Sequence, residues 1–221
     1  MTSVRCFLAM LISVLICVKP DSDRIKIPNR EVMSDWAQWV VSNFGDEGND
    51  LGACKNIADE CTKGPVDTFQ QRWPDFMQYH LSPKTVAKDR KASSRKTPER
   101  IYQVFLFALV LCLQTKGWEV SIEELAGNGY ADVRLVSKKM KIAVLIELKS
   151  SKEARDIQKD AKGALDQIEK KNYRNIEGLP GVSILREYGI GCYHLDSHVE
   201  CRYSELDAQR RWVQKADPGT P

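Results

Sequence analysis

The second half of this chain predicts an α/β fold: a mixed β-sheet flanked by helices, with a small helical lobe on its N-terminal side. Three observations carry that expectation. Two short β-type runs, Gly129 to Val136 and Ile142 to Lys149, are separated only by the Lys-rich turn Ser137-Lys-Lys-Met-Lys141 and read as neighbouring strands. An amphipathic stretch over residues 154–172 places Ile157, Ala161, Leu165 and Ile168 at helical spacing. The order along the chain is helix, three strands, helix, strand, which builds a sheet covered by helices.

The opening segment, residues 1–30, holds an apolar run from Cys6 to Val18 behind Arg5. It has the size of a secretory h-region, but Lys19-Pro-Asp21 is a poor cleavage site and the run is short for a membrane span. A buried helix leading into the short strand Arg24-Ile-Lys-Ile27 is the other reading. Residues 31–82 form the expected lobe. A helix over Glu31–Phe44 is followed by helices over Leu51–Cys61 and Val66–Tyr79, with Trp73 and Phe76 as core anchors.

Residues 83–97 are basic, with Lys84, Lys88, Arg90, Lys91, Arg95 and Lys96 near two serines and Pro83. A solvated linker is the favoured reading, with phosphate contact as a second use. Pro98 begins a helix capped by Thr97 and running to Gln114, apolar enough to lie against a sheet. A strand over Trp118–Ile122, a turn over Glu123–Gly129 and the two runs above come next. After the 154–172 helix, strands are expected over Tyr188–His194 and Val199–Tyr203. Residues 206–221 are a tail, frayed beyond Ala216.

Composition describes an ordinary globular chain: 43% apolar, 29% charged, net charge +3 over 221 residues. A charge that small does not by itself imply a polyanion partner. The seven cysteines are scattered, and Cys54 and Cys61 have no second pair at zinc spacing, so reduced thiols and no structural zinc are expected.

Strand alternation puts Glu147 and Lys149 on one side, within reach of Asp132 on the neighbouring strand. Two carboxylates suit Mg²⁺, with Mn²⁺ as a substitute, and an ammonium can orient water and offset charge on a phosphate. Solvated charges at a strand end are the competing reading.

The order and spacing of five stretches go further: Tyr102-Gln-Val-Phe-Leu106, Gly127-Asn-Gly-Tyr-Ala-Asp132, Leu145-Ile-Glu-Leu-Lys149, Ala164-Leu-Asp-Gln-Ile168 with Tyr173, and Tyr188-Gly-Ile-Gly-Cys-Tyr193. Over about residues 98–205 the chain resembles the PD-(D/E)xK nuclease superfamily, in particular the nuclease domain found behind AAA-ATPase-like domains. That resemblance implies a restriction-endonuclease-like core and a metal-dependent nuclease that hydrolyses phosphodiesters. Nucleic acid is the implied partner, DNA ahead of RNA. Asp132, Glu147 and the Leu148 carbonyl would hold the metal, Lys149 would position water, and Gln167 would point at the site.

Glu99 stands where the superfamily often has a first-helix glutamate that binds metal, although a Glu at a helix start also suits the helix dipole alone. Glu123 and Glu124 are alternatives to it. Tyr173 either faces the site or packs on the sheet. The family's helix histidine is Gln103 here, and Ala131 stands where a proline is common.

Ile25-Lys-Ile-Pro-Asn-Arg-Glu-Val32 is similar to the junction ahead of such nuclease domains. Residues 6–18 would then be a remnant of a preceding domain, in an intracellular protein, cytoplasmic or nuclear. They would pack internally, against a partner or in a homo-oligomer, with no membrane role. No Gly-x-x-x-x-Gly-Lys-Ser/Thr loop is present, so ATP is not an expected ligand. The alternative function is an inactive nuclease-like module that binds nucleic acid or protein.

Overall fold

The computed structural model describes residues 51–81 and 97–219. The expected elements of residues 1–50 and the basic stretch from Lys84 to Lys96 lie outside the described residues. Within them run α1 (Leu51–Thr62), α2 (Val66–His80) and α3 (Thr97–Val110), the last continued by a 3₁₀ segment over Leu111–Lys116. Then come β1 (Glu119–Ala126), β2 (Gly129–Ser137), β3 (Ile142–Ser150), α4 (Ile157–Lys170), β4 (Ile184–Tyr193), β5 (Asp196–Leu206) and β6 (Trp212–Gln214).

The strands form one sheet in the order β1-β2-β3-β4-β5-β6. Only β3 and β4 pair in parallel, and α4 with its flanking loops is the crossover that such a pair requires. The other neighbours are antiparallel. The expected mixed sheet flanked by helices is therefore what the chain builds.

Each face of the sheet has its own core. On one side Val133, Leu135, Val144, Ile146, Leu148, Tyr188 and Ile190 meet α1, α2 and α3. On the other, Ala143, Leu145 and Leu185 meet Leu165 and Ile168 of α4. A strand covered on both faces loses its polar alternation, which is why Ile142 to Leu148 is buried throughout.

Trp73, 1% exposed, packs on Phe69 and Phe105, and Phe69 packs on Tyr188. Burying such a ring is worth roughly 1.5–3 kcal/mol. Across its described part, then, the expected helical lobe is one layer of the same core as the sheet, and Trp73 and Phe76 anchor it.

Several boundaries differ from the sequence reading. The first helix of the nuclease-like half leaves α geometry at Val110, and its 3₁₀ continuation ends at Gly117, whose φ of 84° is left-handed. β1 runs on to Ala126, because its pairing with β2 continues through Leu125↔Tyr130 and Ala126↔Gly129. The expected seven-residue turn shrinks accordingly to Gly127-Asn128. β4 begins at Ile184, adding Arg186 and Glu187, charged residues that sequence patterning places outside a buried strand.

The tail packs on the body from Asp217 to Gly219. Asp217 is buried, its carboxylate accepts the Val66 amide at the start of α2 (3.0 Å), and it lies 3.5 Å from Arg186. The first amides of a helix have no partner within it. Here the tail supplies one from 151 residues away.

Candidate active site

β2 and β3 pair from Ser137↔Ile142 as far as Val133↔Ile146. On the next rung stand Asp132 and Glu147, where the ladder gives way to side-chain contacts. Asp132 Oδ2 accepts the Leu148 amide at 2.7 Å, taking the place of a backbone acceptor. Its Oδ1 accepts from Gln103 Nε2 on α3, also at 2.7 Å. The Asp132 carboxylate is thus fixed from two elements at the fork between the strands.

Glu147 lies deeper, only 4% exposed. Gln167 of α4 donates its side-chain amide to Glu147 Oε1, while Oε2 is buried without a hydrogen-bond partner. Burial, and then the negative charge of Asp132, push the Glu147 carboxyl up to about 8, with Glu99 adding to the rise and Lys149 opposing it. Burial disfavours the charged form of Glu147 first, and the neighbouring acid adds to that.

The approach of α4 to this spot depends on two small residues. In the β3–β4 register Glu147 stands beside Gly189 and Lys149 beside Gly191. A Cβ on Gly189 would come within 2.2 Å of the Ala161 carbonyl, and one on Gly191 within 2.1 Å of the Ile157 carbonyl. Bare glycine backbone lets the helix sit directly on the sheet. Gln167 is thereby brought to Glu147, and a Cβ on Gly163 would meet the Lys149 ammonium at 3.2 Å. Sequence reading expected Gln167 to point at the site but missed the close approach of α4 that Gly189 and Gly191 allow. The Gly-x-Gly inside a strand is the signal that points to close backbone approach.

Of the residues singled out from sequence, Asp132, Glu147 and Gln167 are connected through this fork and Lys149 lies beside α4 next to it. Glu99, at the start of α3 and half-buried, is near enough for its charge to be felt at Glu147 and Cys192. Yet among the described residues no group of three or more His, Cys, Asp or Glu side chains converges as a metal cage, so Glu99 does not complete one with Asp132 and Glu147.

Tyr173 packs in the core. It is buried, and burial first and Glu147 second raise its hydroxyl. A Cβ on Gly129 would meet its oxygen at 3.0 Å. Gln103, which stands where the family has a helix histidine, holds the Asp132 carboxylate. The side chains of Glu123 and Glu124 lie outside what is described.

Among the described residues, Cys61, Cys192 and Cys201 are free thiols. No helix among the described residues is long and apolar enough to cross a membrane.

Residues 97–194 match the PD-(D/E)XK nuclease superfamily. That segment holds α3, the first four strands and α4, and with them every site residue described above. Over these residues the chain is similar to that superfamily, and its mixed sheet flanked by helices is a restriction-endonuclease-like α/β fold. No curated protein matches the chain significantly.

Proposed function

We propose that this protein is a metal-dependent nuclease that hydrolyses phosphodiester bonds in nucleic acid, DNA ahead of RNA, inside the cell. The observation that carries the reading is the juxtaposition of Asp132 and Glu147 at the strand fork, with Lys149 beside them. The fit to a divalent cation rests on the Glu147 Oε2 atom, buried without a partner, and on the charge of two acids that burial leaves uncompensated. Asp132, Glu147 and the Leu148 carbonyl would hold Mg²⁺ or Mn²⁺. Bound there, the ion would supply Lewis-acid stabilisation of charge on a scissile phosphate.

The chain's own groups have separate tasks. Gln103 and the Leu148 amide keep Asp132 oriented. Gln167 orients Glu147. Lys149 holds the attacking water by hydrogen bonding and sets a positive charge beside the phosphate.

Purified protein with Mg²⁺ or Mn²⁺ is expected to cut a DNA substrate, and an RNA substrate less well. Glu147→Ala is expected to abolish cutting while circular dichroism stays unchanged. Cutting by that variant at the wild-type rate would overturn the reading.

One observation favours a second reading, a nuclease-like module that binds nucleic acid without cutting it. Glu147 is nearly inaccessible, and both Asp132 oxygens already accept hydrogen bonds. Under that reading the wild type binds oligonucleotides and leaves them intact at every metal concentration.

A further inference from the structure

Among the described residues, Leu125 and Tyr130 are direct cross-strand partners at the tip of the β1–β2 hairpin, and they are exposed by 68% and 62%. Cross-strand partners stand on one side of a hairpin, so the two side chains form a single apolar surface. Tyr130 is two residues before Asp132 on β2, and its nearness along the strand, not side parity, places it by the carboxylate, since alternation breaks there with Ala131 in the α4-side core and Val133 in the other.

The hairpin tip is seated against the helix behind it. The Asn128 amide donates to the Lys171 carbonyl at 2.7 Å. Gly127 adopts a φ of 52°, and a Cβ there would lie 2.2 Å from the Asn172 carbonyl. The exposed Lys170 and Lys171 therefore lie at the base of this tip. An aromatic ring with an aliphatic neighbour, close to a candidate phosphate site, is an element of a surface for unpaired bases, while Lys170 and Lys171 end α4 on the sheet face towards which Ala126 and Gly129 point. Two side chains offer far less than the roughly 800 Å² per partner of a stable protein interface.

We propose that Tyr130, supported by Leu125, is a stacking platform for a nucleobase next to the phosphate that a cation on Asp132 and Glu147 would receive. The preferred substrate is then single-stranded or locally unpaired nucleic acid. The inference rests on the nuclease reading for its placement, but its test does not require cleavage.

Binding of a fluorescein-labelled single-stranded DNA oligonucleotide, followed by anisotropy in EDTA, separates the two. Tyr130→Ala is expected to weaken binding about tenfold, in keeping with loss of one base–aromatic stack, and Tyr130→Trp to restore it. An abasic strand of the same length is expected to bind wild type and Tyr130→Ala alike.

Equal binding of the base-containing strand by wild type and Tyr130→Ala would overturn the proposal. So would an equal loss on the abasic strand, which would assign Tyr130 to the backbone, or no binding at all. A wild-type dimer that Tyr130→Ala converts to monomer would make the pair a subunit contact instead, and also overturns it. Base-dependent binding without cutting at any metal concentration would uphold the platform and remove the nuclease reading. Cutting with no Tyr130 dependence in binding would do the reverse.

Discussion

Gln103 Nε2 lies 2.7 Å from Asp132 Oδ1, so a side chain on α3 fixes the carboxylate that β2 delivers. An amide cannot move a proton at neutral pH, but it donates as well as a neutral imidazole does. Removing the donor leaves Asp132 held on one oxygen. Gln103→Leu is expected to lower cleavage about 10- to 100-fold and to raise the Mg²⁺ concentration needed for half-maximal rate. Gln103→His keeps a donor at this position and is expected to recover most of the loss. Metal titrations of the cleavage rate for the three proteins check this.

Glu147 makes metal-free stability depend on pH. Its folded-state pKa, about 8, lies above the ordinary 4.5, so the folded protein holds that proton more tightly than the unfolded chain. The destabilisation is absent below pH 4.5, grows as pH rises through the window, and is complete above 8. Glu187, raised to about 7 by burial, contributes with the same sign. Glu147→Gln removes only its own share. In EDTA it is expected to match wild type near pH 4 and to exceed it by about 1–3 kcal/mol at pH 9. Urea denaturation across pH measures the difference, and Mg²⁺ is expected to narrow it by stabilising wild type.

Gly163 and Gly191 are both packed close, and the same substitution should affect them oppositely. At Gly163 an added methyl meets only the end of the Lys149 side chain, which can shift. Gly163→Ala therefore gains helix propensity of about 1 kcal/mol while displacing Lys149, raising the melting temperature and lowering cleavage. At Gly191 the methyl meets backbone at 2.1 Å. Gly191→Ala is expected to cost about 3 kcal/mol or more by prising α4 off the sheet. Calorimetry and rate measurements on the two variants test the contrast.

Asp217 closes the molecule on itself. Its loss would strand the buried Arg186 guanidinium and free the Val66 amide. Arg186 keeps its hydrogen bond to the Gly64 carbonyl, which limits the damage. Asp217→Ala is expected to destabilise by about 2–4 kcal/mol, read by urea denaturation, with cleavage unchanged below the melting transition. A loss within experimental error would mean that the tail detaches in solution.

The chain's sequence determined its class of fold, the order of its elements and the identity of its acidic pair. Those depend on short-range patterns: the apolar run ending in Glu147-Leu-Lys149, the amphipathic spacing of Ile157 to Ile168, and the glycine-bounded Asp132 strand. Tertiary structure alone decided what surrounds the pair. Gln103 meets Asp132 across 29 residues, Gln167 meets Glu147 across 20, and Asp217 caps α2 across 151. No local periodicity encodes such contacts, because they arise only when helices dock on a sheet. The buried charges Arg186 and Glu187 were illegible for the same reason, since their partners Asp217 and Arg174 arrive from elsewhere in the fold. The depth of Glu147, and with it the pull on its proton, follows from Gly189 and Gly191, which let α4 close over β3 and β4.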